Sequence, residues 1–357
     1  MAQIPKKRAS APKKSGILYV GMDLGTSRTS VSASNGTRET VSSIVGYPKD
    51  AVSKKLLQQE VLYGDAALEK RLSLDLYRPL EKGVIKFSAS DESSSEAAAY
   101  RRAARDLVHH AVTLARPRPD ELVYGVIGAP AQASLRNKQA ILEAAREKLD
   151  AVMLCSEPFS VAYGLDQLDE ALVIDLGAGT VDLCRMRGTL PEEEDQITLE
   201  TAGDFLDGEI FRALKTRHPQ ASFTINMVKQ IKEKHGFVTE AAETVRVSLP
   251  VAGKPTFFDL TDLLRENCRK IIPPIVESMQ KLLASFDPEF QHRLRNNVLL
   301  GGGGSQLHGL GRALEDAFRE YGGGRVTTVE EPIYAGANGA LKLAYDMPEE
   351  YWEELKG

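Results

Sequence analysis

Cysteine, tryptophan and long apolar runs are all scarce in this sequence of 357 residues. The three cysteines, Cys155, Cys184 and Cys268, have no C-x-x-C spacing. The sequence therefore indicates neither a zinc motif nor a disulfide framework, and we expect free thiols in a reducing cytosol. No stretch approaches the roughly 20 apolar residues that a membrane-spanning helix needs. Because the apolar run at 17–22 is also too short for the core of a signal peptide, we predict a cytoplasmic protein without a transmembrane segment.

Charge is distributed unevenly along the chain. The first sixteen residues carry five basic side chains and no acid, so the net charge of −5 leaves −10 on the remainder. An acidic body argues against nucleic acid as the main partner. We predict that residues 1–16 form a disordered basic tail. The simplest interpretation of this tail is a solubilising arm, and contact with an anionic membrane or an acidic partner is the alternative.

Two widespread phosphate-binding motifs are missing, and a repeated motif stands in their place. Neither G-x-x-x-x-G-K-[ST] nor a G-x-G-x-x-G after the first strand occurs. Instead, Y-V-G-M-D-L-G-T-S-R-T-S at 19–30 is echoed by V-I-D-L-G-A-G-T-V-D-L-C at 173–184. Each copy predicts a strand that ends in Asp, a tight turn and a second strand. One copy alone would be a structural hairpin, whereas two copies indicate duplicated domains with a ligand site between them.

The chemistry of the two turns predicts a phosphate site. Glycine lets the backbone approach a ligand, and its N–H groups together with the neighbouring hydroxyls suit phosphate oxygens. The carboxylates of Asp23 and Asp175 would repel a phosphate unless a cation lay between them, which implies Mg²⁺ bound mostly through its own waters. The turn residues are Gly25, Thr26 and Ser27 in the first copy, and Gly177, Ala178, Gly179 and Thr180 in the second.

Two further stretches carry candidate chemistry. Four glycines and a serine at 301–305 follow a predicted strand and precede a predicted helix, which suits a flat ring and its phosphates. Glu157 stands where a strand gives way to a helix. A carboxylate there could orient a water for in-line attack on a γ-phosphate. The alternative is a first-turn glutamate that only complements the helix dipole.

The remaining chain predicts alternating strands and helices. We expect a strand at 39–45, a turn at 46–50, and a small peripheral subdomain over 51–95, which shows no sustained period. The predicted helices cover 96–116, 134–149, 225–235, 259–285 with a break at Pro273 and Pro274, 307–321, and 335–344, the last of which we expect to return to the first domain.

Taken together and in order, V-G-M-D-L-G-T, S-E-P-F-S-V-A-Y-G, V-I-D-L-G-A-G-T-V-D, A-G-D-F-L-D and V-L-L-G-G-G-G-S resemble the actin, Hsp70 and sugar-kinase superfamily of ATPases. Within it the chain is most similar to the bacterial actins, and among those to the magnetosome-associated branch. The resemblance implies an α/β, actin-like ATPase fold. Such a fold has two duplicated ribonuclease-H-like α/β domains, each with a smaller inserted subdomain, and nucleotide in the interdomain cleft.

The resemblance also implies the domain limits. The implied first domain is 17–157, completed by 332–357, with a peripheral subdomain at about 39–95. The implied second domain is 158–331, with a peripheral subdomain at about 210–262.

By resemblance, Asp23 and Asp175 would hold hydrated Mg²⁺, and Glu157, helped by Thr180, would activate the hydrolytic water. The hairpin turns would clasp the phosphates of ATP or ADP. Gly203 and Asp204 would approach the ribose. The adenosine would be surrounded by Lys229, Lys232, Gly302, Gly303 and Gly304. The sequence departs from its relatives in three places. The first hairpin has Arg28 but no lysine where eukaryotic actin has one, and Lys229 stands where some relatives have a glutamate. The tail before Ile17 and the loop at 88–95 differ from the magnetosome-associated branch.

The resemblance implies an ATPase that is slow as a monomer, is stimulated by polymerisation, and assembles head to tail into cytoplasmic, cytoskeletal filaments. Its partners would be further copies of itself and magnetosome membrane-associated proteins. A small-molecule kinase of the same superfamily is the alternative, and its turnover would rise with a sugar or short acid rather than with protein concentration. An Hsp70-type chaperone is disfavoured, because the chain ends where a substrate-binding domain would begin.

Overall fold

The computed structural model describes residues 16–82, 84–86, 94–240 and 243–356. The predicted tail lies outside these residues except for Gly16, which begins the first strand. The strands are β1 Gly16–Leu24, β2 Arg28–Ala33, β3 Arg38–Ser42, β4 Val45–Pro48, β5 Leu62–Tyr63, β6 Leu74–Tyr77, β7 Leu80–Glu81, β8 Val84–Ile85, β9 Glu121–Ala129, β10 Ala151–Ser156, β11 Asp169–Leu176, β12 Val181–Arg187, β13 Gln196–Leu199, β14 Arg246–Val251, β15 Lys254–Asp259, β16 Val298–Gly301 and β17 Val326–Thr328.

The α-helices lie between these strands and after the last of them. They are α1 Ala51–Leu57, α2 Gly64–Glu69, α3 Ser95–Leu114, α4 Leu135–Arg146, α5 Glu157–Gly164, α6 Gly203–Arg217, α7 Ile225–His235, α8 Thr261–Cys268, α9 Ile272–Ala284, α10 Gln291–Asn296, α11 Leu310–Phe318, α12 Ala335–Asp346 and α13 Glu349–Leu355.

Two five-stranded sheets with the same topology form the frame of the molecule. Their strand orders are β10-β9-β1-β2-β3 and β17-β16-β11-β12-β13. In each sheet an antiparallel hairpin, β1–β2 or β11–β12, is continued on one side by parallel strands and on the other by an antiparallel edge strand. Both predicted strand–turn–strand motifs are therefore confirmed, and they occupy equivalent positions in the two sheets.

The sheet register places the two predicted carboxylates equivalently. Asp23 lies at the end of β1 opposite Gly128 of the parallel strand β9. Asp175 lies at the end of β11 opposite Gly301 of the parallel strand β16. In an α/β sheet, ligands bind beyond the carboxyl ends of the parallel strands. Each sheet therefore presents one acidic side chain at its binding end.

Helix α12 returns to the first sheet, as predicted. Gly21 of β1 faces it so closely that a Cβ there would lie 2.1 Å from the carbonyl oxygen of Ala337. Helix α12 also crosses α5, where a Cβ on Gly339 would lie 1.7 Å from the Ser160 carbonyl oxygen. Because a side chain at either glycine would occupy the space of another backbone, these glycines set the distance between elements. One buried apolar cluster extends from β9 through α5 and α12 to β11 and β12, and so joins the two sheets.

The predicted strand at 39–45 and turn at 46–50 are wrong in their limits. Strand β3 ends at Ser42, and β4 continues through the segment predicted as a turn. Asp50 then caps α1 by accepting a hydrogen bond from the Ser53 backbone N–H at 2.8 Å. Since β3 is the edge strand of the first main sheet, the peripheral unit begins after it, at the three-stranded sheet β5-β4-β6.

The long predicted helix at 259–285 is two helices, α8 and α9, joined by a 3-10 turn at Arg269–Ile271. Pro273 and Pro274 lie in the first turn of α9, where a missing N–H costs no helical hydrogen bond. The break therefore precedes the prolines instead of falling on them. The hairpin β14–β15 was not predicted, and it forms a separate two-stranded sheet in the second half of the chain.

The sequence analysis predicted 335–344 as the last helix, but one more helix follows α12. Helix α13 follows, and its Trp352 is fully buried, with its ring stacked 5.0 Å from that of Tyr124 on β9. The helices predicted at 96–116, 134–149, 225–235, 307–321 and 335–344 are confirmed as α3, α4, α7, α11 and α12, with ends that differ by a few residues. Within the described residues, none of the helices has the length and apolarity required to cross a bilayer.

Candidate functional site

A cavity of about 340 Å³ lies where the carboxyl ends of β1 and β11 face each other. Its lining includes the residues that the sequence had singled out for metal, phosphate, ribose and adenosine contacts. These residues are Asp23, Gly25, Thr26, Ser27, Glu157, Asp175, Gly177, Ala178, Gly179, Thr180, Gly203, Asp204, Lys229, Lys232, Gly302, Gly303 and Gly304. The structure thus brings together, from both halves of the chain, residues separated by as many as 281 positions.

The two hairpin turns touch across the cavity. A Cβ on Gly179 would lie 2.3 Å from the hydroxyl oxygen of Thr26 and 2.7 Å from the Cα of Lys82. Real Cβ atoms do not approach other atoms so closely, so a side chain at position 179 would push the turns apart. Glycine at this position lets backbone from both domains enclose a ligand.

The second turn is tied to the beginning of α6. The backbone N–H of Gly203 donates to the Gly177 carbonyl at 3.2 Å, and that of Asp204 donates to the Ala178 carbonyl at 2.7 Å. Lys232 of α7 secures the same corner, because its ammonium donates to the Gly203 carbonyl at 2.7 Å and pairs with a carboxylate of α6 at 2.7 Å. The buried Lys232 therefore positions the start of α6, in addition to lining the cavity.

Three carboxyl groups, those of Asp23, Glu157 and Asp175, line the floor of the cavity, and a fourth, which the sequence analysis had not found, is buried beside them. The fourth is Asp182, which lies directly opposite Asp175 in the β11–β12 hairpin. Its Oδ1 accepts hydrogen bonds from the Ala131 N–H at 3.0 Å and from the Thr198 hydroxyl at 2.5 Å. Its Oδ2 is buried without a hydrogen-bond partner among the described residues. The strand register of the predicted hairpin could have revealed it, since a residue opposite Asp175 must lie beside it.

Burial and mutual repulsion raise the pKa of these carboxyl groups. Burial, followed by the charge of Asp182, raises the pKa of Asp23 to about 6. Burial also raises the pKa of Asp175 well above its usual value, helped by the charges of Asp23 and Asp182. The pKa of Glu157 is raised for the same reasons, with burial first and then the charges of Asp23, Asp182 and Asp175. The protein thus concentrates negative charge where nothing in the described chain neutralises it, which is costly unless a cation binds.

The donor set fits a hydrated magnesium ion. The orphaned oxygen of Asp182 and the clustered carboxylates are hard oxygen ligands, which Mg²⁺ prefers. Within the described part of the chain, however, no three acidic, histidine or cysteine side chains converge closely enough to ligate one ion directly. An ion that these carboxylates hold through its own water molecules agrees both with the oxygen-rich lining and with the lack of three directly converging ligands.

Glu157 begins α5 at the edge of this cluster, and the sequence had placed it there. A Cβ on Gly128 would be only 3.4 Å from the Glu157 side chain, so the glycine at the end of β9 leaves room for it. Burial and the charge of Glu157 raise the pKa of the neighbouring Cys155 thiol to about 12, which disfavours the reactive thiolate form.

The glycine-rich loop at 302–304 folds over the end of β11. Gly302 has a positive φ of 74°, and a Cβ on it would lie 2.3 Å from a carboxylate oxygen of Asp175. A Cβ on Gly304 would overlap the Leu176 side chain at 1.4 Å. Only glycine fits either position, so the loop presents bare backbone to the cavity.

Three polar contacts bridge the two domains around the mouth of the cavity. Lys229 of α7 donates a hydrogen bond to the hydroxyl of Ser27 in the first turn. Arg78 donates to the Asn226 side chain at 2.7 Å. The ammonium of Lys82 pairs with Glu200 at 2.6 Å. Sequence reasoning missed these bridges, because each joins segments more than 100 positions apart.

Two duplicated sheets that enclose an acidic, glycine-lined cavity define an actin-like protein with a nucleotide-type cleft. A sequence profile of the MreB/Mbl protein family matches residues 18–350. The chain belongs to this family of bacterial actins. It is 39% identical to the actin-like protein MamK of Paramagnetospirillum magneticum over 338 residues, which cover 95% of each chain. It is 40% identical to MamK of Magnetospirillum gryphiswaldense, over 95% of this chain and 92% of that one.

Solved structures agree with this placement. A structure of the MamK double helical filament is 39% identical and covers 93% of this chain and 100% of its own, with a TM-score of 0.88. A non-polymerising MamK variant bound to AMPPNP is equally identical and covers 93% and 99%, with a TM-score of 0.69. The predicted actin-like fold and the resemblance to the magnetosome-associated branch of bacterial actins are confirmed.

Proposed function

We propose that this chain is an ATPase that binds Mg²⁺ and ATP in the cavity between its domains and polymerises head to tail into dynamic cytoskeletal filaments. The observation that carries the proposal is the convergence of two duplicated turns on one cavity, whose floor is lined by three carboxyl groups with a fourth buried beside them. The MamK relatives support it, because one was solved as a filament and another with an ATP analogue. The domain limits implied by the resemblance, 17–157 with 332–357 and 158–331, are part of the proposal.

The two turns would hold the phosphates, and the acidic floor would hold the metal. Asp23 and Asp175 would bind Mg²⁺ through water, and Asp182 would contribute its unpaired oxygen to the same water network. Bound there, Mg²⁺ would neutralise the phosphate charge that these carboxylates repel. The first turn contains no lysine of its own. Lys229 reaches it from the opposite domain, so its ammonium would provide a positive charge beside the phosphates.

Glu157 would act as the base that orients the hydrolytic water. Its raised pKa makes the carboxylate a stronger proton acceptor than an exposed glutamate. Thr180 is buried, and its side chain lies near enough to Asp182 to oppose the rise in the pKa of that carboxyl, so its hydroxyl is held beside the carboxylates. General-base catalysis of this kind contributes about 10²–10⁴-fold to a rate.

Nucleotide binding would favour assembly by closing the cleft. At the same identity of 39%, this structure is more similar to the MamK filament subunit than to the non-polymerising variant, with TM-scores of 0.88 and 0.69. The bridges around the cavity mouth accompany this filament-like arrangement. A ligand that alone binds the closed state at about a thousand times its Kd stabilises that state by about 4 kcal/mol. Hydrolysis would remove part of this bias and release subunits.

The cellular role would be to position or align magnetosome organelles, alongside their membranes in the cytoplasm. The similarity to MamK supports this assignment, because the two MamK proteins match this chain over nearly its whole length and nearly the whole of their own.

The test is assembly and turnover of the purified full chain with ATP and with ADP. We expect sedimentable filaments, visible by electron microscopy, with ATP, and turnover per molecule that rises with protein concentration. Glu157→Ala should assemble with ATP but lose at least about 100-fold in turnover and disassemble slowly. The matched control is Glu143→Gln, on the exposed face of α4, which should behave as wild type.

Two outcomes would contradict the proposal. Normal ATP turnover by Glu157→Ala would show that Glu157 does not orient the hydrolytic water. Turnover that rises with an added sugar or short acid at fixed protein concentration, without filaments, would favour the small-molecule kinase.

A further inference from the structure

The loop after β9 joins the first sheet to the edge strand of the second. It comprises residues 130–134, between the end of β9 and the start of α4. The Gln132 side chain donates a hydrogen bond to the Gln196 carbonyl at 3.1 Å and accepts one from the Thr198 backbone N–H at 3.3 Å. The Gln132 backbone N–H donates to the Thr198 hydroxyl at 3.3 Å. We call these three hydrogen bonds the Gln132 clamp.

The clamp leads directly to Asp182. Thr198 of β13 lies opposite Asp182 of β12, and its hydroxyl donates to Asp182 Oδ1 at 2.5 Å. The Ala131 backbone N–H, next to Gln132 in the loop, donates to the same oxygen at 3.0 Å. One oxygen of Asp182 is therefore held by a donor from each sheet, while its buried Oδ2 has no hydrogen-bond partner among the described residues. Donors that fix Oδ1 also fix the direction in which the free Oδ2 points.

The loop begins beside the helix start that carries Glu157. Ala129, the last residue of β9, lies opposite Ser156 of β10, and Glu157 follows at once. The charge of Asp182 is near enough to help raise the pKa of Glu157. The clamp therefore ties the strand ends beside Glu157 to the strand that carries Asp182.

We propose that Thr198 and Gln132 are positioning residues, which hold Asp182 in its working orientation when the two domains are closed. The inference rests on the proposed function and names the residues that couple closure of the cleft to hydrolysis. Neither side chain lines the cavity, so both act through Asp182. Because Ala131 and Asp182 belong to different sheets, opening of the cleft removes one donor from Oδ1 and leaves the carboxylate freer to turn.

The two positioning residues differ in how they depend on closure. Thr198 lies in the same sheet as Asp182, so its hydroxyl contacts the carboxylate whether the cleft is open or closed. Gln132 reaches Thr198 from the other sheet and is exposed, so water replaces its hydrogen bonds when the domains separate. Thr198 therefore orients Asp182 directly, and Gln132 adds the part of that order which depends on the closed state.

The first test removes the Thr198 hydroxyl. Thr198→Val keeps the shape of the side chain and should lower the single-turnover rate of ATP hydrolysis roughly 10–100-fold, as for loss of a hydrogen bond to a charged group. The Kd of a fluorescent ATP analogue should change less than about twofold, because no nucleotide contact is lost. Thr198→Ser keeps the hydroxyl and should restore the rate. The matched control is Thr216→Val, since this exposed threonine on α6 donates only within its helix, to the Arg212 carbonyl.

The second test measures how far assembly stimulates turnover. The readout is the ratio of turnover per molecule in filaments to that in dilute protein below the critical concentration. Gln132→Ala should lower this ratio roughly 3–10-fold, as for loss of neutral hydrogen bonds, and should still assemble with a non-hydrolysable ATP analogue. The matched control is Gln139→Ala, because this exposed glutamine of α4 donates to Glu143 of the same helix.

Three results would overturn the assignment. They are wild-type hydrolysis by Thr198→Val, a loss that Thr198→Ser does not restore, and an unchanged stimulation ratio in Gln132→Ala. Equal losses of nucleotide affinity and of turnover would also overturn it, since the clamp would then only hold the domains together. Because Gln132 is exposed, its variant keeps the test decisive even if Thr198→Val does not fold. The proposed function fails separately, if the wild type neither assembles with ATP nor hydrolyses it.

Discussion

Individual side chains at the cavity are held in electrostatically costly positions. Asp23, Asp175 and Asp182 repel one another through a poorly solvated space, and each of their pKa values is raised. A protein that only needed to fold would gain stability by replacing one of them with an uncharged residue. The electrostatic free energy that these carboxylates cost the fold therefore indicates that they serve to bind a ligand.

The first prediction concerns Asp23 and pH. Its folded pKa of about 6 exceeds the ordinary value of 3.8, so between these pH values the folded protein retains a proton that the unfolded chain has lost. The free energy of unfolding of the metal-free protein therefore falls as pH rises through this interval. In EDTA at pH 7, Asp23→Asn should be more stable than wild type by up to about 3 kcal/mol in urea denaturation, with no difference near pH 3.5.

Asp50 is the control with the opposite sign. Its hydrogen bonds from Ser53 lower its pKa, so its stabilising effect is present at neutral pH and is lost as pH falls. Asp50→Asn should give no gain at pH 7. If Asp23→Asn in EDTA is the less stable protein at pH 7, the electrostatic account of the cavity floor is wrong.

The second prediction distinguishes two roles for Lys229. The sequence placed this residue near adenosine, whereas its hydrogen bond to Ser27 places its ammonium at a phosphate turn. Lys229→Ala should weaken ATP and ADP binding by roughly 10–100-fold, as expected for one charge-assisted hydrogen bond of about 1.5–3 kcal/mol, and leave adenosine binding unchanged. Displacement of a fluorescent nucleotide by ATP, ADP and adenosine measures this.

Lys234→Ala is the matched control, because Lys234 lies on the same helix but is exposed. An equal loss of affinity for adenosine and for ADP in Lys229→Ala would restore the adenosine contact that the sequence predicted.

At the scale of elements, close helix packing connects the two sheets. Helices α5 and α12 cross where Gly164 and Gly339 face each other, with a Cβ on Gly164 only 2.9 Å from the Cα of Gly339. Helix α5 begins with Glu157, and α12 begins beside Asp23, where a Cβ on Gly336 would lie 2.9 Å from a carboxylate oxygen. The crossing thus fixes the helix that carries Glu157 and the helix that packs against Asp23 of β1.

The third prediction tests this crossing. Gly339→Ala puts a methyl group 1.7 Å from the Ser160 carbonyl oxygen, so the helices must separate. Overpacking of this kind costs about 1–3 kcal/mol, and we expect the upper end of that range in guanidinium denaturation. Gly208→Ala on α6, whose nearest neighbour atom is 3.8 Å away, is the control. It should be neutral or stabilise by up to about 1 kcal/mol. Equal stability of the two variants would show that the crossing tolerates separation.

At the scale of the whole molecule, exposed polar bridges hold the mouth of the cleft. The pair Lys82–Glu200 joins the peripheral unit of one domain to the edge of the other at 2.6 Å. Its side chains are 47% and 67% exposed, so solvent screens the attraction strongly. Such pairs contribute at most about 1 kcal/mol each. Weak bridges of this kind allow a cleft to open for exchange.

The fourth prediction follows from that weakness. Glu200→Ala should speed the release of fluorescent ADP by up to about fivefold at low salt, and the difference from wild type should shrink at high salt. Stopped-flow measurement provides the rate. Glu60→Ala, which removes a pair with Lys54 inside the peripheral unit, should leave release unchanged. A salt-independent effect of Glu200→Ala would mean that the bridge acts through something other than charge.

The sequence by itself determined the parts of this protein that depend on local chemistry. The two Asp–Gly turns, the glycine loop at 302–304 and the helix start at Glu157 were all predicted, because turn geometry and close backbone approach demand particular residues at particular spacings. Helix ends were predicted less well, and no helix was predicted around Trp352, because nothing local showed the Tyr124 ring on which it stacks.

Only the tertiary structure decided which distant residues meet. Lys229 of the second half contacts Ser27 of the first, and Asp23 of the first sheet lies near enough to Asp182 of the second for their charges to interact. Each depends on how two sheets are oriented about a shared core, and long-range contacts of that kind leave no periodic or compositional trace in the chain. Short stretches of sequence thus show which residue types the site contains. Only the packing of the two sheets brings those residues together.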